Sequence, residues 1–390
     1  MDPSTIATVR SAPRRALAVG FAAALIATVI VVNLVDAARP ECCDDQVPYV
    51  TLYAGDRNQI EALLVAGDGQ AFAALAQDPT LSRPGVIAAE GEYAYRAQRP
   101  VWGYLAWAAS LGQPDLAGWA LVALAILACG LACGVVAMLL LQRGASPWWA
   151  LVTLAIGYEA IGTLTPELFG LALFGIGVLL WTRERRAWAI VAMCAAVLTR
   201  ETMLVGVAAL ALWEIVEHGG ALAARIRRAA PFTLPIAAIA TWDVFLRVRL
   251  GSWPTGSSET RLALPGVGLL DSIADRPSPG LALGVLAAIA LVIASVVLAR
   301  HDPLTWISVA YAGFATTFSQ EVWVHAGFTR ALLPLYVLAS VAFLGAIAQR
   351  RRVEAQAPDD GAGAAIVEPG SIRYAAASSL IPTSGTPRTR

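Results

Sequence analysis

The chain of 390 residues contains no lysine; all 28 of its basic residues are arginine. Any cationic site it builds is therefore a guanidinium site, a geometry suited to bidentate phosphate contacts. Charge of either sign is scarce. Only 14% of residues are charged, and 28 acidic residues bring the net charge to zero, so no basic excess points to nucleic acid. Cysteine says little more. Cys129, Cys133 and Cys194 fall inside apolar runs, where they read as small hydrophobes. Cys42 and Cys43 are adjacent, with no second pair at metal spacing, so the pattern gives neither a disulfide framework nor a zinc site. Glu41, Asp44 and Asp45 likewise show no defined ligand spacing and read as a solvated loop.

What fills the chain instead is apolar surface: 57% hydrophobic residues and a mean hydropathy of +0.63, outside the range of soluble globular domains. Apolar runs of about 20 residues recur, each long enough to cross roughly 30 Å of hydrocarbon as a helix. The chain reads as all-α, a polytopic membrane helical bundle. About ten transmembrane helices are expected, at 16–37, 115–141, 148–164, 167–182, 187–199, 202–217, 231–247, 280–299, 304–320 and 331–348. The first run is long for a signal-peptide core and reads as an uncleaved anchor preceded by Arg10, Arg14 and Arg15. Turns bearing Arg143, Arg183, Arg185 and Arg186, Arg225, Arg227 and Arg228, Arg300 and Arg350 to Arg352 fall on the same side as that flank, which by the positive-inside rule and an even number of spans places both termini in the cytoplasm. This gives one membrane domain over 1–352 and a disordered tail over 353–390, rich in Ala, Gly, Pro and Ser.

The first outer loop, 38–114, is too long for a mere connector. Ile60, Leu63 and Leu64 share one helical face, as do Phe72 and Leu75, so short amphipathic helices are expected within it. The segment VWGYLAWAASLG at 101–112, with Trp102, Tyr104 and Trp107, reads as an interfacial helix. Between the two helical faces lies AGDGQAFAALAQD, residues 66–78. Asp68 there has two readings. It is an N-cap for a helix over 69–77, worth about 1 kcal/mol, or a carboxylate presented for chemistry, with Gly67 and Gly69 letting the backbone turn sharply on either side.

Elsewhere, charge sits where hydrocarbon is expected. The hairpin 187–217 has only about 20 Å of helix per arm, so Arg200 and Glu201 at its apex must pair or face a water-filled cavity. Glu167 follows Thr165-Pro166 as a first-turn carboxylate favoured by the helix dipole, with Glu159 about two turns earlier. Arg330 marks either a membrane interface or a site, and His325 lies in the outer turn EVWVHAGFTR.

Four signatures stand in a fixed order: Asp68-Gly69-Gln70-Ala71-Phe72 with Asp78-Pro79, Tyr95-Arg96-Ala97-Gln98-Arg99, Thr199-Arg200-Glu201, and Arg330 to Leu335. Together they resemble a bacterial family of the GT-C class of integral-membrane glycosyltransferases, over about residues 16–348. The chain departs from that family's pattern at Gly67, Ala71 and Ala97, where aromatics are usual. The resemblance implies a GT-C-like bundle that moves a sugar from a polyprenyl-phosphate donor to a glycan or lipid acceptor outside the bacterial cytoplasmic membrane, with inversion. Asp68 would be the general base, taking the acceptor hydroxyl's proton. Arg200 and Arg330 would meet the lipid phosphate, and Arg96 and Arg99 either the phosphate or the loop itself. Gln70, Glu167, Glu201 and His325 complete the candidate substrate-binding set. No cofactor is implied, and dependence on a divalent metal stays open. The expected partners are the lipid-linked sugar, the acceptor and membrane lipids, without nucleic acid. Two other readings remain: a transporter or lipid flippase, whose broken-helix sites resemble the short charged hairpins, and a non-catalytic scaffold for envelope assembly.

Overall fold

The structure, a computed structural model, describes residues 3–38, 50–53, 57–87, 92–254, 262–324 and 327–356. Glu41 to Asp45, His325 and the tail beyond 356 lie outside the described residues. The chain divides after Arg351, and the described part of the remainder is the end of the last helix.

Apolar runs become helices because a helix alone satisfies every backbone polar group within its own segment in hydrocarbon. Helix α1 spans Pro3–Ala37. The loop that follows contributes α2 (Gln59–Val65), α3 (Gly69–Gln77), α4 (Glu92–Ala97) and α5 (Pro100–Ala109). Then come α6 (Ala117–Gln142), the two short pieces α7 (Val152–Ile156) and α8 (Tyr158–Gly162), α9 (Glu167–Trp181), α10 (Arg186–Thr199) and α11 (Met203–Glu217). The rest is α12 (Leu222–Ala229), α13 (Thr233–Leu250), α14 (Val267–Asp275), α15 (Pro279–Ala299), α16 (Pro303–Ala315), α17 (Gln320–Val324), α18 (Gly327–Ala331) and α19 (Leu333–Gln356). Among the described residues, extended pairing is limited to the isolated bridges Val50–Ile87 and Leu262–Phe318.

Among the described residues, five helices are long and apolar enough to cross a membrane: Ala12–Ala37, Pro114–Gln142, Leu222–Leu250, Pro279–Ala299 and Leu333–Ala355. The segment expected as one span over 148–164 is instead broken at Gly157, and the arginine-rich segment at 224–229 is helical and runs on into α13.

Helix α1 packs antiparallel on α6 along a stripe of small residues. Ala16, Val19, Ala23, Ala27 and Val31 are buried, while Leu17, Phe21, Leu25 and Val29 face out. A Cβ on Gly20 would stand 2.7 Å from the Gly130 carbonyl, so only glycine permits this crossing. The outward rows of α15, from Leu283 to Val297, are equally bare of protein contact, as a lipid-facing surface requires.

The antiparallel pairing gives the bundle two distinct ends. At one, Arg143 at the foot of α6 meets Asp302 before α16, and Glu217 at the foot of α11 meets His301. At the other, the loop helices α2 to α5 cover the N-terminal part of α6 and the α8–α9 junction. Gly67 lies against Thr163, Gly69 against Leu164, and the Trp102 indole N–H donates to the Leu164 carbonyl at 3.0 Å. Helix α5 was expected to lie in the interface. Tyr104 and Trp107 are indeed exposed, but Trp102 is fully buried and packs on Phe169.

Candidate functional site

At the loop end, residues remote in sequence form a network of four arginines and four carboxylates in two ion-paired groups, Arg96 and Arg330 with Asp68 and Glu159, and Arg99 and Arg200 with Glu167 and Glu201, joined where Arg96 and Arg99 both lie on the Tyr95 ring. Local structure delivers each of them. Helix α2 starts with a capping box, in which the Asn58 side chain accepts from the Glu61 amide and the Glu61 carboxylate from that of Asn58. The α2–α3 turn then carries Asp68 to the start of α3. The helix begins where expected, yet the Asp68 carboxylate makes no cap hydrogen bond. It points away, to the Arg96 guanidinium at 2.9 Å and that of Arg330 at 3.3 Å. Burial opposes its ionisation, but Arg96, then Arg330 and Arg99, hold the carboxyl well below the usual carboxylate range. The flanking glycines also act differently from expectation. A Cβ on Gly67 would meet the Thr163 methyl at 2.7 Å and one on Gly69 the Leu64 side chain at 2.9 Å, so they permit close packing under the site.

Gln70 stands apart from this network among the described residues. Its side chain is buried in backbone hydrogen bonds, accepting from Val50 N at 3.2 Å and donating to the Val65 and Gly67 carbonyls. It fixes the turn that presents Asp68. Asp78 is likewise occupied within the loop. It accepts from the Ser82 and Arg83 amides, the Ser82 hydroxyl and the Tyr93 hydroxyl. Burial works against its charge, but these donors prevail and lower its pKa.

The segment Tyr95 to Arg99, where α4 ends, distributes most of the connections. Arg96 reaches Asp68. Arg99, whose side chain is only 1% exposed, clamps Glu201 through Nε and Nη2 at 2.7 Å each. The Tyr95 hydroxyl accepts from Arg99 at 2.8 Å, and both guanidiniums lie against its ring, at 5.2 and 4.8 Å from the centroid. Gln98, between them, donates to both oxygens of Asp243 on α13 at 3.2 and 3.3 Å. Arg200 lies 3.6 Å from both Glu167 and Glu201, too far for a hydrogen bond, and its Nε and the Glu167 Oε2 are buried without a partner. Arg330 spreads over three contacts of 3.3 Å, to Asp68, the Thr163 hydroxyl and Glu159. The Thr329 hydroxyl donates to Glu159 at 2.6 Å.

Neither a family model, a curated protein nor a solved structure matches this chain. The site therefore rests on its own geometry.

Of the expected site residues, the network gathers Asp68, Arg96, Arg99, Glu167, Arg200, Glu201 and Arg330, leaves out Gln70, and His325 falls outside the described residues. It adds Glu159, Tyr95 and Asp243. The signal for Asp243 was available: a single acid in the apolar run of α13. Leu164, between Thr163 and Glu167, has φ of 53°, a left-handed conformation costing roughly 1–2 kcal/mol in a non-glycine residue. The Trp102 hydrogen bond to its carbonyl holds it there. Among the described residues no group of three or more His, Cys, Asp or Glu is arranged to hold a metal ion. Chemically, the arrangement offers partly reachable guanidiniums for an anion beside a carboxylate that an anion would release.

Proposed function

We propose that the chain is a membrane glycosyltransferase of the GT-C kind, using a polyprenyl-phosphate sugar on the outer side of a bacterial cytoplasmic membrane, with about ten membrane passes. The observation that supports this reading is the meeting of Asp68 with Arg330, 262 residues later in the chain, and with Arg96. A salt-bridged carboxylate is a weak base. The donor's phosphodiester competes for Arg330 and Arg96, and as it takes them the Asp68 carboxylate regains basicity. The acceptor hydroxyl then attacks the anomeric carbon from the face opposite the phosphate. The bond from that carbon to the phosphate oxygen breaks with its electron pair going to the lipid phosphate, and the hydroxyl proton passes to Asp68. Arg200, whose side chain makes no hydrogen bond among the described residues, is the second cation for the leaving phosphate.

The test is transfer by the purified protein in nanodiscs from undecaprenyl- and decaprenyl-phosphate sugars. Asp68→Asn lowers transfer by about 10²-fold or more while the protein stays folded and still binds the donor; turnover equal to wild type would overturn the assignment. One observation favours transport instead: the helix interrupted at Gly157, beside Glu159, has the form of a broken-helix site. Substrate flux in proteoliposomes without transfer would decide for that reading.

A further inference from the structure

Among the described residues Asp243, unlike the four carboxylates of the arginine network, has no arginine partner. The other carboxylates of the site each have an arginine within 3.6 Å. Asp243 lies in the stretch Leu222–Leu250, a helix long and apolar enough to span a membrane, and is only half-buried. Its partner among the described residues is the neutral amide of Gln98. An ionisable group at such a place is costly and marks a binding role unless its charge is matched. Here it is unmatched. The Gln98 amide fills one donor position, so the carboxylate retains acceptor capacity for further hydrogen bonds.

The surroundings narrow what those donors are. Trp242, the preceding residue, is fixed by its indole N–H donating to the Ala97 carbonyl at 2.8 Å and by edge and tilted contacts with Tyr104 and Phe245. It lines a narrow apolar cleft with Leu75, Pro79, Leu81 and Tyr104, while Asp243 and Gln98 lie outside that lining. A carboxylate and an amide side by side, next to an apolar aromatic wall, suit a ring that carries hydroxyls on its edge and C–H groups on its face. Gln98 also stands one residue from Arg99, which clamps Glu201, and two from Arg96, which holds Asp68. The pair is thus wired to the same turn as the proposed reaction centre.

We propose that Asp243 and Gln98, with Trp242 as the flanking wall, form a subsite that binds hydroxyl groups of a sugar-bearing acceptor. The assignment of the bound sugar as acceptor rests on the glycosyltransferase reading; the hydroxyl-binding site itself does not. Saturation-transfer NMR of the full chain in phosphatidylcholine nanodiscs, with methyl α-mannoside, methyl β-galactoside and ethanolamine as probes, separates the two. Wild type gives saturation of at least one glycoside, Asp243→Asn and Gln98→Ala weaken it at least tenfold, and Glu217→Gln at the opposite end of the bundle leaves it intact. Because Asp243→Asn removes an unmatched charge from an apolar helix, its melting temperature equals or exceeds that of wild type. A lower melting temperature with glycoside binding unchanged would mean that Asp243 is structural. Binding of ethanolamine in place of the glycosides, or of no glycoside by wild type, also overturns the proposal. Asp243-dependent glycoside binding in a protein that transfers no sugar would leave the subsite standing and overturn the transferase reading.

Discussion

The two ends of the bundle use the same chemistry to opposite effect. At the Arg143 end, Arg143 and Asp302 form a bidentate pair at 2.8 and 2.9 Å. Arg143 also donates to the Leu139 carbonyl, and Asp302 caps α16 by accepting from the Leu304 amide at 2.8 Å. At the loop end, Arg200 and Arg330 are held at 3.3–3.6 Å by shared partners, and Glu167 Oε2, Arg200 Nε and Arg330 Nε make no hydrogen bond. A saturated buried pair has nothing left to offer a ligand. A loosely satisfied one keeps donors and acceptors in reserve, at the cost of stability. The difference teaches where to look for function in a chain with so little charge: in the pairs that are badly made.

Mutations can break this contrast. The largest expected effect is on chemistry. Asp68→Asn lowers transfer by about 10²–10⁴-fold, the range for loss of a general base, measured as initial rate at saturating donor. Next is Asp302→Ala, which leaves Arg143 buried and unpaired and costs about 3–5 kcal/mol of stability, read from chemical unfolding in detergent. Its counterpart at the loop end, Glu167→Gln, removes a charge whose only ion contact is 3.6 Å long. It shifts stability less than Asp302→Ala does, because Arg200 keeps Glu201 at 3.6 Å; a loss as large as that of Asp302→Ala would erase the distinction between the ends. Gly67→Ala presses a methyl into Thr163 and costs about 1–3 kcal/mol, with a parallel fall in transfer if it displaces Asp68.

The smallest effect is in pH. The Asp68 carboxyl titrates lower in the folded protein than in the unfolded chain, so its contribution is complete above about pH 5 and is lost as pH falls through the folded value. Between roughly pH 4 and 2 the melting temperature of wild type therefore falls more steeply than that of Asp68→Asn. Equal slopes would mean that Arg96 and Arg330 do not hold the ionised form.

Much of this architecture was legible in the order of residues. Helix α3 begins at Gly69 as its pattern indicates, and the apolar runs became helices because hydrocarbon allows a single segment little else. The short arms of α10 and α11 foretold that Arg200 and Glu201 would need partners at depth. What stayed hidden was long-range competition. A local pattern makes Asp68 an N-cap, but two guanidiniums, one 28 and one 262 residues away, outbid the backbone amides of α3. Gln70 looked like part of a motif for chemistry because its backbone bonds depend on how Val50 returns to the turn. The break at Gly157 was hidden because the run around it is apolar apart from Thr153, Tyr158 and Glu159.

The end of α4 has a consequence for how two substrates would be handled. One turn of chain sends Arg96 to Asp68, Arg99 to Glu201 and Gln98 to Asp243. A ligand that draws Arg96 toward itself therefore tugs on the residue that orients Asp243, and a ligand on Asp243 tugs back. Any such coupling is reciprocal: whatever factor the first ligand applies to the second's affinity, the second applies to the first. Occupancy of the two subsites would be cooperative without any movement of the long helices, and a one-residue insertion between Tyr95 and Arg96, still within α4, would turn Arg96 by about 100° away from Asp68 and displace the residues that follow it.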